Sequence, residues 1–309
     1  MVAADEVGRL QRGSDPECRL AQKVFEQGHY AGRTTPSDTR QGTYALTPTG
    51  ILLGSMNRND AAAMAELLRR SLDKWNSLSL QERMVSDAKE RAKEVKRYED
   101  QYPAAGLVLR VFSRDLPREQ KPADWRADAW NQDYAWFRPA EVSSMMPSSF
   151  AVGQKSTIPE ALVKRLVQFN LVDNVRGQVW HFPEQDVKQA RMTAEVIDRK
   201  GDIATLRVTG ETRAESEGSW SIAGYRDMNS PSAQKRGVHL KLYGTATYNS
   251  TKKRFTSFDV VALGNRHGAT QYNGRHDDLG PAPIGFLVTL AGNSAAEKVA
   301  PAFFYSYSW

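Results

Sequence analysis

From residue 187 onward the chain alternates apolar and polar residues with a period of two, the feature that most constrains its fold. Successive side chains of a strand point to opposite faces, so this alternation is typical of an antiparallel sheet with one buried face. For example, Ala204, Leu206 and Val208 are apolar and the residues between them are polar. We therefore expect residues 187–309 to form an antiparallel β domain.

Turn-forming sequences divide this region into hairpins. Residues 200–202 and residues 249–253 each separate two alternating runs, which predicts two hairpins. A further strand is expected at residues 284–291, and the alternating aromatic residues of 303–309 predict another. The polar residues 212–236 lie between the two hairpins, and their composition predicts a long loop or flap.

The N-terminal region has helical periodicity instead. Apolar residues from Met64 to Trp75 recur at helical spacing, and Asp60 can cap the first turn by accepting free backbone N–H groups. A capping-box pattern then predicts a charged connector helix over residues 79–104. Another amphipathic helix is expected over residues 158–170.

Residues 41–72, QGTYALTPTGILLGSMNRNDAAAMAELLRRSL, are expected to form strand, turn, strand and closing helix. This order resembles the C-terminal half of a thioredoxin-like domain, and VGRLQRGSDPECRLAQKVFEQ resembles a shortened front half whose helix begins at Cys18. The resemblance extends over residues 5–75. The family's C-x-x-C pair is absent, because Asp15 stands in place of the first cysteine, and the cis-proline signature is not evident. Dithiol exchange is therefore excluded.

Cys18 is the only cysteine, so the chain can form neither an internal disulfide nor a cysteine-based metal site. A helix N-terminus favours the thiolate form of a cysteine. The neighbouring Glu17 and Asp15 oppose that effect by like-charge proximity. Two interpretations stay open for Cys18: a structural residue, or the reactive thiol of a redox protein that acts by mixed disulfide with a partner.

We predict an α+β fold, with a helix-rich N-terminal part and a C-terminal antiparallel β-sheet or partly open barrel. Residues 1–78 would form a reduced thioredoxin-like unit, and residues 79–104 the charged connector helix. Residues 105–186 would form a Trp-rich central segment that includes the helix at 158–170. Residues 187–309 would form the antiparallel β domain.

The segment GNRHGATQYNGRHDDLG, residues 264–280, connects two expected strands. It carries two Arg–His pairs and two aspartates: Arg266, His267, Arg275, His276, Asp277 and Asp278. Two histidines and an aspartate could ligate a metal, although the adjacent arginines disfavour a cation. Guanidinium groups and loop N–H groups could instead bind an anion. The third interpretation is a surface loop held by its own Arg–Asp pairs.

A second candidate site lies among the aromatic residues 125–137. Trp125, Trp130 and Trp136 could stack on a sugar, a base or a peptide, with interleaved polar residues donating and accepting hydrogen bonds. The alternative interpretation is that these rings anchor an irregular segment to the core.

The sequence has no nucleophile elbow, P-loop, dinucleotide fingerprint or HExxH pattern. Asp173 and Arg176 predict an ion pair or a contact at the C-terminus of the preceding helix rather than a catalytic dyad. We therefore expect a non-enzymatic binding or structural module, without cofactor or metal, that recognises an anionic small molecule or an acidic protein surface. The alternatives are the redox protein acting through Cys18 and a metal-dependent hydrolase using His267 and His276.

A net charge of +6 over 309 residues is too mild and too evenly mixed to predict nucleic-acid binding. No apolar run approaches the roughly 20 residues of a membrane span, so we expect a soluble protein. The start, MVAADEVGRLQRG, lacks the pattern of a signal peptide. We expect a cytoplasmic protein if Met1 is the native start, and an exported one if a leader was removed. The sequence leaves the oligomeric state open.

Overall fold

The computed structural model describes residues 10, 13–31, 40–58, 60–85, 98–119, 122–222 and 231–309. The chain divides into two compact units, Met1–Arg97 and Tyr98–Trp309. Of the described residues, 38% lie in strands and 24% in helices. The predicted fold class, with its helix-rich N-terminal part, is therefore wrong, because one large antiparallel sheet dominates the molecule.

The first unit contains α1 (Pro16–Phe25), β1 (Thr43–Leu46), β2 (Leu52–Met56), α2 (Ala61–Ser77) and the one-turn helix α3 (Leu80–Arg83). The two strands pair antiparallel, and α2 packs against β2. Asp60 caps α2 as predicted, accepting a backbone hydrogen bond at 2.6 Å. The capping box at Ser79 also forms, but α3 ends at Arg83. Of the connector helix predicted over 79–104, residues 86–97 lie outside the described residues.

The second unit is built on an eight-stranded antiparallel sheet. Its strands are β3 (Leu107–Asp115), β4 (Trp130–Phe137), β5 (Lys155–Thr157), β6 (Val187–Lys200), β7 (Ile203–Trp220), β8 (Ser232–Asn249), β9 (Arg254–His267) and β10 (Ala282–Leu290). In space they lie in the order β4-β3-β10-β9-β8-β7-β6-β5. Both predicted hairpins, β6–β7 and β8–β9, are confirmed, and β10 confirms the strand expected at residues 284–291.

The sheet also includes strands from before residue 187, which explains the error in fold class. β3 and β4 form one side of the sheet, and five consecutive residues of β4 are buried. A strand buried on both faces has no alternation of apolar and polar residues, so its sequence does not show the period of two. The Trp-rich segment is thus partly a sheet strand.

Two local expectations are also wrong. Residues 212–236 are not simply a loop, because β7 continues to Trp220 and pairs there with Ser232 at the start of β8. The C-terminal residues form no strand; Phe304–Ser306 is a short 3-10 helix. The ring of Phe304 packs on the ring of Trp136, with 5.1 Å between the two centroids.

The inner face of the sheet is covered by helices α4 (Pro139–Met145) and α5 (Glu160–Phe169), which packs mainly on β6. α5 confirms the helix predicted at residues 158–170. Its buried side chains are Leu162, Val163, Leu166, Val167 and Phe169. Each buried side chain of this size stabilises the unit by about 1.5–3 kcal/mol. No helix in the described ranges is long and apolar enough to cross a membrane.

Candidate functional site

An apolar cavity lies between the inner face of the sheet and the helices that cover it. Its volume is about 40 Å³. All eighteen lining residues are apolar, and no polar atom contributes to the wall. The cavity therefore offers an apolar ligand burial without breaking a hydrogen bond.

The periodicities of the surrounding elements explain why the wall is apolar. In β7, Leu206 and Val208 face the cavity at a spacing of two. In α5, Leu162 and Leu166 face it at a spacing of four. Met192 of β6 adds an unbranched, adaptable side chain to the wall. The alternating strands and the amphipathic helix thus turn their apolar faces towards the same space.

The exposure of the lining residues shows where the cavity approaches solvent. Leu206 and Val260 are 1% exposed, whereas Phe255 and Phe258 are 8% exposed and Ile158 is 9% exposed. Met146, directly after α4, is the lining residue that is partly exposed, and the other seventeen are buried. The cavity therefore lies within the core and comes nearest to solvent at Met146.

A chain of aromatic rings lies beside the cavity, and two of its members, Phe255 and Phe258, line the wall. Phe150 stacks on Tyr248, with ring centroids 5.5 Å apart and planes inclined by 18°. Tyr248 contacts Phe255 edge-on at 5.2 Å, and Phe255 contacts Phe258 at 5.6 Å. Phe150 lies on the connection between α4 and β5, which turns at Gly153 with a φ of +87°. Phe150 and Tyr248 thus pack on an aromatic side chain of the cavity wall.

The arginines of the segment 264–280 lie elsewhere, in a buried ion-pair network. Arg275 contacts Asp115 at 2.7 Å and Asp173 at 2.6 Å. Arg266 is also completely buried, and it contacts Asp278 through its guanidinium group. The guanidinium groups predicted to bind an anion are therefore bound to carboxylates of the chain itself.

Asp278 is the carboxylate that connects this network. It contacts Arg118 at 2.5 Å, Arg176 at 2.9 Å and Arg275 at 3.3 Å, in addition to Arg266. Burial by itself would raise the pKa of the Asp278 carboxyl, but hydrogen bonds from Arg118 and Arg266 outweigh burial and hold that pKa below its ordinary value. The network holds the connection between β9 and β10 against the rest of the second unit.

The two histidines of the segment have different surroundings. His276 is exposed, and the neighbouring Asp277 pairs with Arg126 at 2.6 Å, which lowers the pKa of the Asp277 carboxyl. His267 is half-buried at the end of β9. Within the part of the chain that the structure describes, no group of three or more His, Cys, Asp or Glu residues could hold a metal ion.

His267 lines a second, small space together with Arg236. The Arg236 guanidinium lies 4.2 Å from the centre of the Phe182 ring and donates hydrogen bonds to the carbonyls of Trp180 and His181. Burial lowers the pKa of Arg236 to about 10. These bonds fasten the segment after α5 to the start of β8.

The three predicted stacking tryptophans are not brought together on one surface. Trp136 is completely buried and contacts Tyr102 edge-on at 5.5 Å. Trp125 and Trp130 are exposed, and Trp130 lies 6.1 Å from Phe112 between ring centroids. Trp136 thus anchors β4 to the core.

Cys18 of the first unit is completely buried, beside Leu10 and Phe25. Its thiol donates a hydrogen bond to Oδ2 of Asp15 at 3.1 Å, and its backbone N–H donates to Oδ1 of the same carboxylate at 3.0 Å. Asp15 therefore caps α1 and holds the thiol at the same time. A reagent or partner could reach the sulfur only after α1 moved.

Comparisons of the chain with protein-family models, curated proteins and solved structures find no match. The thioredoxin-like resemblance of residues 5–75 therefore stays a prediction.

The residues around the cavity were not identified from the sequence as a site. Alternation correctly indicates which side chains face inward, but it does not tell whether the facing helix fills the space they enclose. The sequence feature that could have indicated the cavity is the pair Met145 and Met146 at the end of α4, because methionines are frequent at adaptable apolar surfaces.

Proposed function

We propose that the second unit is a non-enzymatic binding module that takes an apolar ligand into the cavity between its sheet and α5. The observation that carries this proposal is the composition of the wall, which has eighteen apolar residues and no polar atom. Such a wall provides no acid, base, nucleophile or metal ligand for catalysis. It favours an apolar ligand through the removal of apolar surface from water.

The ligand must displace some of the lining side chains. The cavity volume of about 40 Å³ corresponds to roughly three or four water molecules, which is less than an alkyl chain requires. Met145, Met146 and Met192 are unbranched and can change rotamer to enlarge the space. Each CH₂ group that is buried adds about 0.8 kcal/mol, or about fourfold in affinity. Affinity should therefore rise with alkyl chain length until the cavity is full.

The test is a titration with N-phenyl-1-naphthylamine, a neutral probe that fluoresces strongly only in apolar surroundings. Ala194 of β6 lines the cavity, so Ala194→Leu and Ala194→Phe fill it progressively. We expect the parent protein to bind the probe, and the two variants to weaken binding in the order of their volume, by about tenfold or more for phenylalanine.

The matched control is Thr193→Phe, which adds the same ring to the adjacent, exposed position on the outer face of the same strand. It should bind the probe as the parent does, and circular dichroism should show that all variants fold. If the parent protein gives no fluorescence change, or if both phenylalanine variants lose binding equally, the proposal is wrong.

A further inference from the structure

The outer face of the sheet, which lies opposite α5 and the cavity, carries three adjacent exposed apolar side chains. Leu287 of β10, Val261 of β9 and Tyr243 of β8 are partners in the strand register, so they lie side by side across three neighbouring strands. They are between 38% and 60% exposed. Single apolar residues are ordinary on a protein surface, whereas adjacent ones indicate a surface that another molecule covers. We call these three residues the apolar row.

Charged side chains lie on both flanks of the apolar row, two residues from its line along the strands. On β7, Glu211 lies on one flank and Arg207 on the other. On β6, Arg191 lies beside Glu211, and Glu195 lies beside Arg207. On each of these two strands, the sign of the charge therefore changes from one flank to the other.

We propose that this face binds a second copy of the chain about a twofold axis that runs along the apolar row, across the strands. A half-turn about that axis exchanges the two flanks. Glu211 then faces Arg207 of the other copy, and Arg191 faces Glu195 of the other copy. Each residue of the apolar row meets its own counterpart. The face is thus complementary to itself, which is what a twofold interface requires.

Lys241 and Asp259 become an ion pair only across this axis. Lys241 of β8 lies on the flank of Glu211, whereas Asp259 of β9 lies on the opposite flank, and both are exposed. Four residues of strand length, about 14 Å, separate their positions within one copy, which is too far for a pair. The half-turn brings Lys241 to the flank of Asp259 of the other copy, one strand away.

The twist of the sheet does not prevent this packing. A twisted sheet is a saddle-shaped surface, and a half-turn about an axis across its strands brings that surface onto itself. The two copies can therefore stack about 10 Å apart over all the strands that they share. The flanks end the interface at β3, because Arg110 and Arg114 there would place like charges against each other.

The expected area predicts a weak dimer. Three rows of side chains on the five strands from β10 to β6 cover about 20 Å by 24 Å, so about 1,000 Å² would be buried in total. This area is at the lower limit of specific interfaces. We expect a dissociation constant in the micromolar range, so the apolar row is exposed in dilute solution. The proposal does not depend on the cavity, which lies on the opposite face.

Sedimentation velocity of the full chain measures this association. The parent protein should have twice its chain mass of 34.6 kDa at about 100 µM and should dissociate on dilution to about 1 µM. Lys241→Asp and Asp259→Lys each place like charges together twice across the axis, so each should weaken association at least tenfold. The control is Lys252→Asp, the same change at an exposed lysine of the β8–β9 turn, which should associate as the parent does.

Mixing the two charge variants tests the twofold arrangement itself. Each variant should be monomeric alone at about 10 µM, whereas an equimolar mixture should form dimers, because opposite charges then meet at both pairs. The double variant with both substitutions in one chain should associate like the parent. Circular dichroism should show that all variants fold.

A parent protein that stays monomeric up to about 200 µM would overturn the proposal and leave the apolar row to a different partner. If the parent forms dimers but both single variants associate with the same affinity, or if their mixture stays monomeric, this face is not the twofold interface and the proposal is wrong.

Discussion

Asp278 is a single carboxylate in contact with four guanidinium groups, those of Arg118, Arg176, Arg266 and Arg275. Because the arginines are mostly buried, removing this charge would leave cations that repel each other in a medium that screens them poorly. We expect Asp278→Asn to lower the free energy of unfolding of the second unit by about 3–5 kcal/mol at neutral pH. Urea denaturation followed by tryptophan fluorescence measures this unit, because only Trp75 of the seven tryptophans precedes residue 98.

The difference between Asp278→Asn and the parent should depend on pH. The folded-state pKa of Asp278 is lowered, so its contribution is fully present above the unfolded-state pKa of about 3.9 and is lost as pH falls through the folded-state pKa. The parent and the variant should therefore approach equal stability in strong acid. Asp277→Asn is the control; its carboxylate is half-exposed, and its loss should cost about 0–1 kcal/mol. Equal losses in the two variants would contradict the central position of Asp278.

The connection that carries Phe150 is the element that should control access to the cavity. Phe150 stacks on Tyr248, which packs on Phe255 of the cavity wall, and no side-chain hydrogen bond holds Phe150 in place. In stopped-flow fluorescence, we expect Phe150→Ala to increase the association and dissociation rates of N-phenyl-1-naphthylamine several-fold, with a smaller effect on affinity. Val152→Ala is the control, because Val152 is in the same connection and 65% exposed. Unchanged rates in Phe150→Ala would show that the ligand enters elsewhere.

Elements with local signals were predictable, and elements that depend on distant partners were not. The turn at Gly201 and the periodic residues of α5 are encoded within a few neighbouring residues, so the first hairpin and the helix at 158–170 are correct. The alternating residues of 303–309 have the pattern of a strand, yet they form a 3-10 helix whose rings pack on Trp136. Their conformation is decided by that distant ring, which no local pattern reveals.

For the whole molecule, alternation predicted which residues face inward, but not that strands from before residue 187 join the sheet. β4 buries five consecutive residues, so it lacked the expected signature. The arginines and aspartates of the segment 264–280 were visible in the sequence. The burial of Arg275 was not predictable, because its partner Asp115 is far away in sequence. The cavity was least predictable, because its existence depends on the distance between α5 and the sheet rather than on any residue type.

The outer face of the same sheet provides the internal comparison for the cavity. Tyr243, Val261 and Leu287 lie side by side across β8, β9 and β10, and all three are exposed. An apolar molecule that bound the protein only through general hydrophobicity would reach this row of side chains first. The cavity and the row are lined by different residues of the same strands, so peptide mapping at single-residue resolution can distinguish them.

Photochemical labelling with a long-chain alcohol that carries a diazirine on its alkyl chain, mapped by mass spectrometry, measures directly where an apolar ligand lies. We expect the label on Met145, Met192, Leu206 and other residues of the cavity wall, and we expect its amount to fall in Ala194→Phe but not in Thr193→Phe. Label found on Tyr243, Val261 or Leu287, with none on the cavity wall, would contradict the proposal that the space under α5 is the binding site.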